Sequence, residues 1–142
     1  MRAMHIPFIC YVNHNNVYYI HITKYLWRRK VEFMNNSNNI IIYNTIRRLG
    51  LRPNHSGTIF ALKAIQLIKN SPDIIMINKI YIEIAKTSSN FSPAQIRVAI
   101  KYALDHRNEQ KSMQNFKEIF GYEYDEEIFT NKDFLEELAR VI

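Results

Sequence analysis

The segment "SPAQIRVAIKYALD", from Ser92 to Asp105, decides the fold. Ser92 is a candidate N-cap, Pro93 follows at the first helical position, and Gln95 completes the pattern of a capping box. Apolar residues then recur at helical spacing along one stripe: Ile96, Ala99, Ile100, Ala103 and Leu104. The pattern predicts a capped helix with that stripe in the core and an outward face of Ala94, Val98, Lys101, Tyr102 and Asp105, flanked by Gln95 and Arg97.

The residues before this helix predict a partner for it. A helical stretch that includes Ile84 and Ala85 is followed by the polar string Thr87 to Asn90, so Ile80 to Leu104 has the layout of a helix-turn-helix. The second helix of such a pair can enter the major groove, where Gln, Arg and Lys contact base edges. A hairpin of two core helices gives the same pattern, so both interpretations stay open at this point.

Helical periodicity extends over most of the chain. Gly50 is placed to end a first helix that runs from Asn39 onward, and Gly121 to end a short helix from Ser112 to Phe120. Further helices are expected over Ser56 to Lys69, Asp73 to Lys86, and from Thr130 onward. The predicted fold class is therefore all-α, a multi-helix bundle that contains a helix-turn-helix.

Residues 1–36 have a different amino-acid composition from the rest of the chain. Ile6 to Val12 and Val17 to Leu26 are rich in β-branched and aromatic residues, and four polar residues between them favour a turn. Met34 to Asn39 has the composition of a linker. We therefore expect a short β-rich N-terminal extension in residues 1–36, with a hairpin as the natural candidate, and a helical domain with the helix-turn-helix layout in residues 37–142.

Charge is distributed unevenly along the 142 residues. Residues 1–101 carry fourteen basic and three acidic side chains, a net +11, whereas residues 102–142 have a net charge of −5. A basic region of this kind fits a polyanion partner, because clustered Lys and Arg gain affinity by releasing phosphate counterions. A basic surface that only maintains solubility is the alternative.

Other function classes find little support in the sequence. It lacks a Gly-rich phosphate loop and a nucleophile elbow, so we expect no enzyme and no cofactor. A metal site is not expected either, because His5, Cys10, His14 and His21 match no common zinc module. The single Cys10, the missing secretory signal and apolar runs of about seven residues predict a cytoplasmic protein without a membrane segment.

Several segments together resemble a known family. They are "LGLRPNHSGTIFALKAIQLI" (Leu49–Ile68), "IYIEIAK" (Ile80–Lys86), "SPAQIRVAIKYALD" (Ser92–Asp105), "IFGY" (Ile119–Tyr122) and "TNKDFLEELA" (Thr130–Ala139). In order and spacing they resemble the C-terminal effector domain of the stage-zero sporulation response regulator. The resemblance covers about residues 39 to 142, and the spacing of Gly50 and Gly57 is one of its most specific marks.

The resemblance implies an all-helical transcription factor that binds a short box in double-stranded DNA. It also implies a homodimer on tandem sites and contact with RNA polymerase. The predicted DNA-binding residues on the capped helix are Ser92, Gln95, Arg97, Val98, Lys101 and Tyr102. Lys86, Arg47 and Arg48 are further candidates for phosphate contacts.

This chain also departs from the family pattern. Between Ala85 and Ile96 it has one residue more, and Ser88 replaces an apolar residue, with Phe91 available to fill the space. Val98 stands where the family has an Arg, and Arg97 where it has a Glu, so the family's DNA box is not carried over to this chain.

The positions of the acidic residues indicate whether the chain contains a domain that could be phosphorylated on aspartate. Glu32 is the one acidic residue before Asp73, so we expect no phosphoreceiver domain. Two alternatives remain: an interaction protein that pairs with a full-length regulator, and a DNA-binding protein of a phage or mobile element.

Overall fold

The computed structural model of the chain describes residues 37–71, 76–88 and 90–142, and these ranges are all-helical. They form α1 (Ser37–Arg48), α2 (Ser56–Asn70), α3 (Ile77–Thr87), α4 (Pro93–Asp105), α5 (Glu109–Phe120), a 3₁₀ turn (Glu126–Ile128) and α6 (Asn131–Val141). The prediction of an all-α bundle is confirmed for this part of the chain. The predicted β-rich extension, residues 1–36, lies outside the described residues.

Helix α2 is the centre of the bundle. Its residues 57–65 are all buried, because α1, α3, α4 and α6 pack around it. Thr58 and Phe60 are as buried as Ile59 and Leu62, so burial in this part of α2 is not confined to one face. A large side chain such as that of Phe60 contributes roughly 1.5–3 kcal/mol when it leaves water. Helix α2 therefore contributes more buried hydrophobic side chains than any other described helix, and it packs against four neighbours at once.

Gly50 ends α1 as predicted, in the left-handed conformation with φ 97°. Its N–H donates to Arg47 O at 2.9 Å, and the N–H of Leu51 donates to Ile46 O at 3.2 Å, which is the Schellman pattern. The carbonyl of Gly50 also accepts from the N–H of Asn108 at 2.8 Å. This residue therefore joins the end of α1 to the start of α5.

Two predicted helix starts are wrong by two or three residues. Helix α5 begins at Glu109 instead of Ser112, because the Asn108 side chain accepts from the N–H of Lys111 at 3.2 Å and caps the helix. Ser112 is buried, and its hydroxyl donates to Leu49 O. Helix α1 begins at Ser37, two residues before the predicted start at Asn39. The predicted start of α3 at Asp73 lies outside the described residues.

The described residues also bear on two classes considered above, membrane-spanning proteins and metal-binding proteins. None of its helices is both long and apolar enough to cross a membrane. Within the same residues, no three His, Cys, Asp or Glu side chains are grouped so as to hold a metal ion. The four residues weighed as metal ligands, His5, Cys10, His14 and His21, lie outside this region.

Candidate nucleic-acid interface

Helix α4 starts with the predicted capping box. The Ser92 hydroxyl accepts from the N–H of Gln95 at 3.2 Å, and the Ser92 N–H donates to Gln95 Oε1 at 2.8 Å. Pro93 occupies the first helical position, where its missing N–H leaves no helical hydrogen bond unmade. The first turn of α4 is therefore fixed by its own side chains, and its start does not depend on a ligand.

The turn between α3 and α4 accommodates the additional residue. Ser88 caps the end of α3 with its N–H on Ala85 O at 3.2 Å, and its carbonyl accepts from the N–H of Phe91 at 3.0 Å. The Phe91 ring packs edge-on against Phe60 with centroids 4.9 Å apart. The Ser88 side chain is completely buried, and its hydroxyl has no hydrogen-bond partner among the described residues. The turn thus closes around a hydroxyl that no other described residue satisfies.

The two faces of α4 differ as predicted. Ile96, Ile100, Ala103 and Leu104 are buried, and Ala99 is half-buried. The opposite face is exposed, and it includes two large side chains, Val98 at 54% and Tyr102 at 51%. The exposed members of the predicted DNA-binding set on this helix are Gln95, Arg97, Val98, Lys101 and Tyr102. A single helix therefore presents amide, guanidinium, methyl, ammonium and phenol groups along one face.

A group of aromatic and basic side chains surrounds the C-terminal end of that face. The Tyr102 ring stacks on His106 at 3.9 Å and meets the edge of His55 at 5.1 Å. Arg52 donates from Nε to His106 O at 3.0 Å, which places a cation at the negative end of the helix dipole. Burial, followed by the charges of Arg52 and His106, lowers the pKa of His55 below its ordinary value. Burial and the neighbouring charges therefore favour the neutral form of the His55 imidazole.

Two contacts hold α4 to the C-terminal part of the chain. Asn131, at the start of α6, donates to Arg97 O at 2.9 Å and to the Tyr81 hydroxyl of α3 at 3.0 Å. Just beyond α4, the Arg107 guanidinium donates to Leu104 O at 3.0 Å and lies 3.7 Å from the centroid of the Phe129 ring. Helix α4 is therefore held at Arg97 in its N-terminal half and at Arg107 just beyond its C-terminal end.

The sequence belongs to a known family of regulators. The family described as "Sporulation initiation factor Spo0A C terminal" matches residues 42–142. The chain belongs to this family. It therefore carries a DNA-binding effector domain of the sporulation type, with a role in transcription regulation. No curated protein and no solved structure was found to match the chain.

In this Spo0A C-terminal domain, two candidate cations, Lys101 and Lys86, form ion pairs, and a third, Arg97, forms none among the described residues. Lys101 forms an ion pair with Asp105 at 3.0 Å, and Lys86 with Glu83 at 2.8 Å, each within its own helix. Such exposed pairs contribute only about 0.3–0.5 kcal/mol, so a phosphate can replace the carboxylate. The guanidinium of Arg97 has no acidic partner within the described part of the chain, which leaves it open to a ligand.

The remaining candidates of the domain lie away from α4. Arg48 pairs with Glu118 of α5 at 2.7 Å, and the Arg47 guanidinium lies 5.8 Å from the centroid of the Tyr43 ring. Neither residue contacts α4 through any hydrogen bond or ion pair within the described ranges. The structure therefore does not bring the Arg47–Arg48 pair together with the exposed face of α4.

Sequence reasoning missed Arg52, His55 and His106, which do lie beside that face. The sequence does place Arg52 and His55 in the loop before α2, and His106 directly after the predicted helix, and these positions were the evidence that could have identified them. The loop is stabilised by Thr58, whose hydroxyl donates to Arg52 O at 2.6 Å. Their proximity to Tyr102 depends on how α2 packs on α4, which local patterns do not reveal.

Proposed function

We propose that this chain is a sequence-specific DNA-binding transcriptional regulator that inserts α4 into the major groove. Residues 37–142 would form the DNA-binding domain, with residues 1–36 as an extension outside it. The observation that carries the proposal is the division of α4 into a buried stripe and an exposed face whose side chains are mixed polar, basic and apolar. A major groove about 12 Å wide admits a helix of this kind.

The chemistry of the exposed face supports assigned roles. Gln95, Arg97 and Val98 occupy the N-terminal half of α4, the part of a recognition helix that contacts base edges. An unpaired guanidinium suits O6 and N7 of guanine, and the Val98 methyl groups suit the methyl group of thymine. These three side chains would supply the sequence preference, and Ser92 would support them by fixing the start of the helix.

Positive side chains around this face would supply most of the affinity. Lys101 follows one turn after Arg97, Lys86 lies at the end of α3, and Arg52 stands beside the end of α4. Tyr102 adds a hydroxyl donor that suits a phosphate oxygen. Arg47 and Arg48 would contribute only if the DNA extends past α1, because their contacts lie with α1 and α5.

Regulation would not depend on an aspartate phosphorylated within the printed sequence. Residues 1–36 contain a single carboxylate, that of Glu32, where a phosphoreceiver domain needs clustered aspartates. We propose that the domain acts as a homodimer on tandem sites and contacts RNA polymerase, the partners implied by the family resemblance. Comparing binding to DNA with one copy and with two copies of the selected site would test the homodimer.

Selection of bound DNA from a random pool by the full chain tests the proposal. We expect a defined motif, and a binding constant that falls steeply with salt, with a slope of about −5 in log K against log salt. A slope near zero without any selected motif would contradict the proposal. It would favour instead an interaction protein that pairs with a full-length regulator.

A further inference from the structure

The side-chain amide of Gln95 is held in one orientation by the capping box. A backbone N–H can only donate, so the atom that lies 2.8 Å from the Ser92 nitrogen must be the amide oxygen. The Gln95 backbone N–H is held in turn by the Ser92 hydroxyl. The Gln95 residue is exposed, and its amide nitrogen has no partner in the described part of the chain. The groove side of this residue therefore offers N–H donors.

This orientation limits which bases Gln95 can recognise. A free glutamine side chain pairs with adenine through two bonds, one donated to N7 and one accepted from the N6 amino group. The second bond needs the amide oxygen beside the nitrogen on the same base edge. In α4 the Ser92 N–H takes one lone pair of that oxygen and the box fixes the orientation of the amide, so the adenine pair is disfavoured while the box is intact.

We infer that Gln95 selects a keto base, guanine or thymine, at one position of the DNA site. Guanine presents two acceptors in the major groove, O6 and N7, and thymine presents O4, whereas cytosine N4 is a donor and adenine has its N6 donor beside its one acceptor, N7. This inference rests on the proposed DNA-binding function and adds the chemical class of base that one residue recognises. It follows from the contacts of Ser92 and Gln95 in this chain.

The substitution Gln95→Glu tests the inference without removing the cap. Glutamate is the other residue that completes a capping box, so both bonds to Ser92 are kept and α4 still starts at Pro93. Its second carboxylate oxygen takes the place of the amide nitrogen and exchanges a donor for an acceptor. The preferred base at that position should change from guanine or thymine to cytosine or adenine.

The experiment is selection of bound DNA from a random pool at low salt, with the wild-type and variant full chains. The measured quantity is the ratio of keto to amino bases at each position of the motif. We expect the ratio to fall by about tenfold at one position in Gln95→Glu, and to stay unchanged elsewhere. Thermal melting checks that the variant is folded.

Ala94→Glu is the matched control, because it adds the same negative charge at the neighbouring exposed position outside the box. It should weaken binding to all sequences and leave the base ratios unchanged. A motif in which Gln95→Glu alters no position, or in which the altered position is adenine in the wild type, would overturn the inference alone. A wild-type chain that selects no motif would overturn the proposed function and the inference with it.

Discussion

Gly57 and Ala99 bring the backbones of α2 and α4 into direct contact. A Cβ atom built on Gly57 would lie 1.9 Å from the carbonyl oxygen of Ala99 and 2.9 Å from the Cβ of Ala103. The central helix α2 can approach α4 this closely because Gly57 has no side chain. The small residues Ala99 and Ala103 complete the close packing on the other side.

Gly57→Ala should destabilise the domain by about 3 kcal/mol or more, because the added methyl group meets backbone and the helices must separate. Urea unfolding of the full chain measures this change. Gly121→Ala is the control: its φ of 86° disfavours a side chain, yet nothing lies within 4 Å of its added Cβ. It should lose only about 1 kcal/mol. Equal losses for the two variants would contradict the close contact.

Ser88→Ala should stabilise the protein by about 1 kcal/mol, because it removes a buried hydroxyl that has no partner in the described structure. DNA affinity should not change. Ser112→Ala is the matched control, since Ser112 is equally buried but its hydroxyl bonds to Leu49 O and to Arg107. That variant should lose about 1–3 kcal/mol. A loss of stability in Ser88→Ala would show that its hydroxyl is satisfied.

Lys101→Ala should weaken binding to all DNA sequences and reduce the salt slope by about one, if Lys101 contacts a phosphate. The melting temperature should hardly change, because the pair with Asp105 is exposed. Asp105→Asn should act in the opposite direction, since it frees Lys101 and removes a negative charge. Lys111→Ala, an exposed charge on α5, controls for the general effect of losing one cation. Identical effects of Lys101→Ala and Lys111→Ala would argue against a local contact.

Val98→Arg should change the preferred base at one position from thymine to guanine, because it replaces methyl groups with a guanidinium. Selection of bound DNA would detect the change. Val98 is 54% exposed, so the longer side chain needs no space in the core, and Arg favours helix more than Val. A collapse of the melting temperature would show that this face of α4 packs against another part of the protein.

Stability should fall as the pH is lowered from 7.5 to 5.5, partly through His55. Its folded-state pKa is lowered, mainly by burial, whereas the unfolded chain protonates near pH 6.5. The unfolded state therefore binds more protons between these pKa values, and acid favours unfolding. His55→Gln should show a smaller difference in melting temperature between the two pH values. An unchanged difference would contradict the environment described for His55.

Local sequence patterns were sufficient wherever a few neighbouring residues fix the backbone. The box of Ser92 and Gln95, the left-handed Gly50 and Gly121, and the cap at Thr130 were all predictable, because each depends on residues within four positions. The cap at Asn108 was missed although it is local. The predicted start was placed at Ser112, where apolar residues begin to recur, because the first turn of α5 is polar.

Contacts between distant segments were not predictable in this way. The sequence does not reveal that α2 is surrounded on all sides, nor that Gly57 lies on Ala99, because both depend on how helices cross. The same holds for the group of Arg52, His55 and His106 beside Tyr102. The DNA-binding roles of all these residues remain predictions.

The cap on α4 also has a kinetic consequence. Helix α4 has its first turn closed by the capping box and is held to the bundle at Arg97 and Arg107, so in the proposed function it would not have to fold during an encounter with DNA. Association can then approach the rate set by diffusion and by electrostatic attraction. Differences between DNA sequences would therefore appear mainly as differences in the lifetime of the complex.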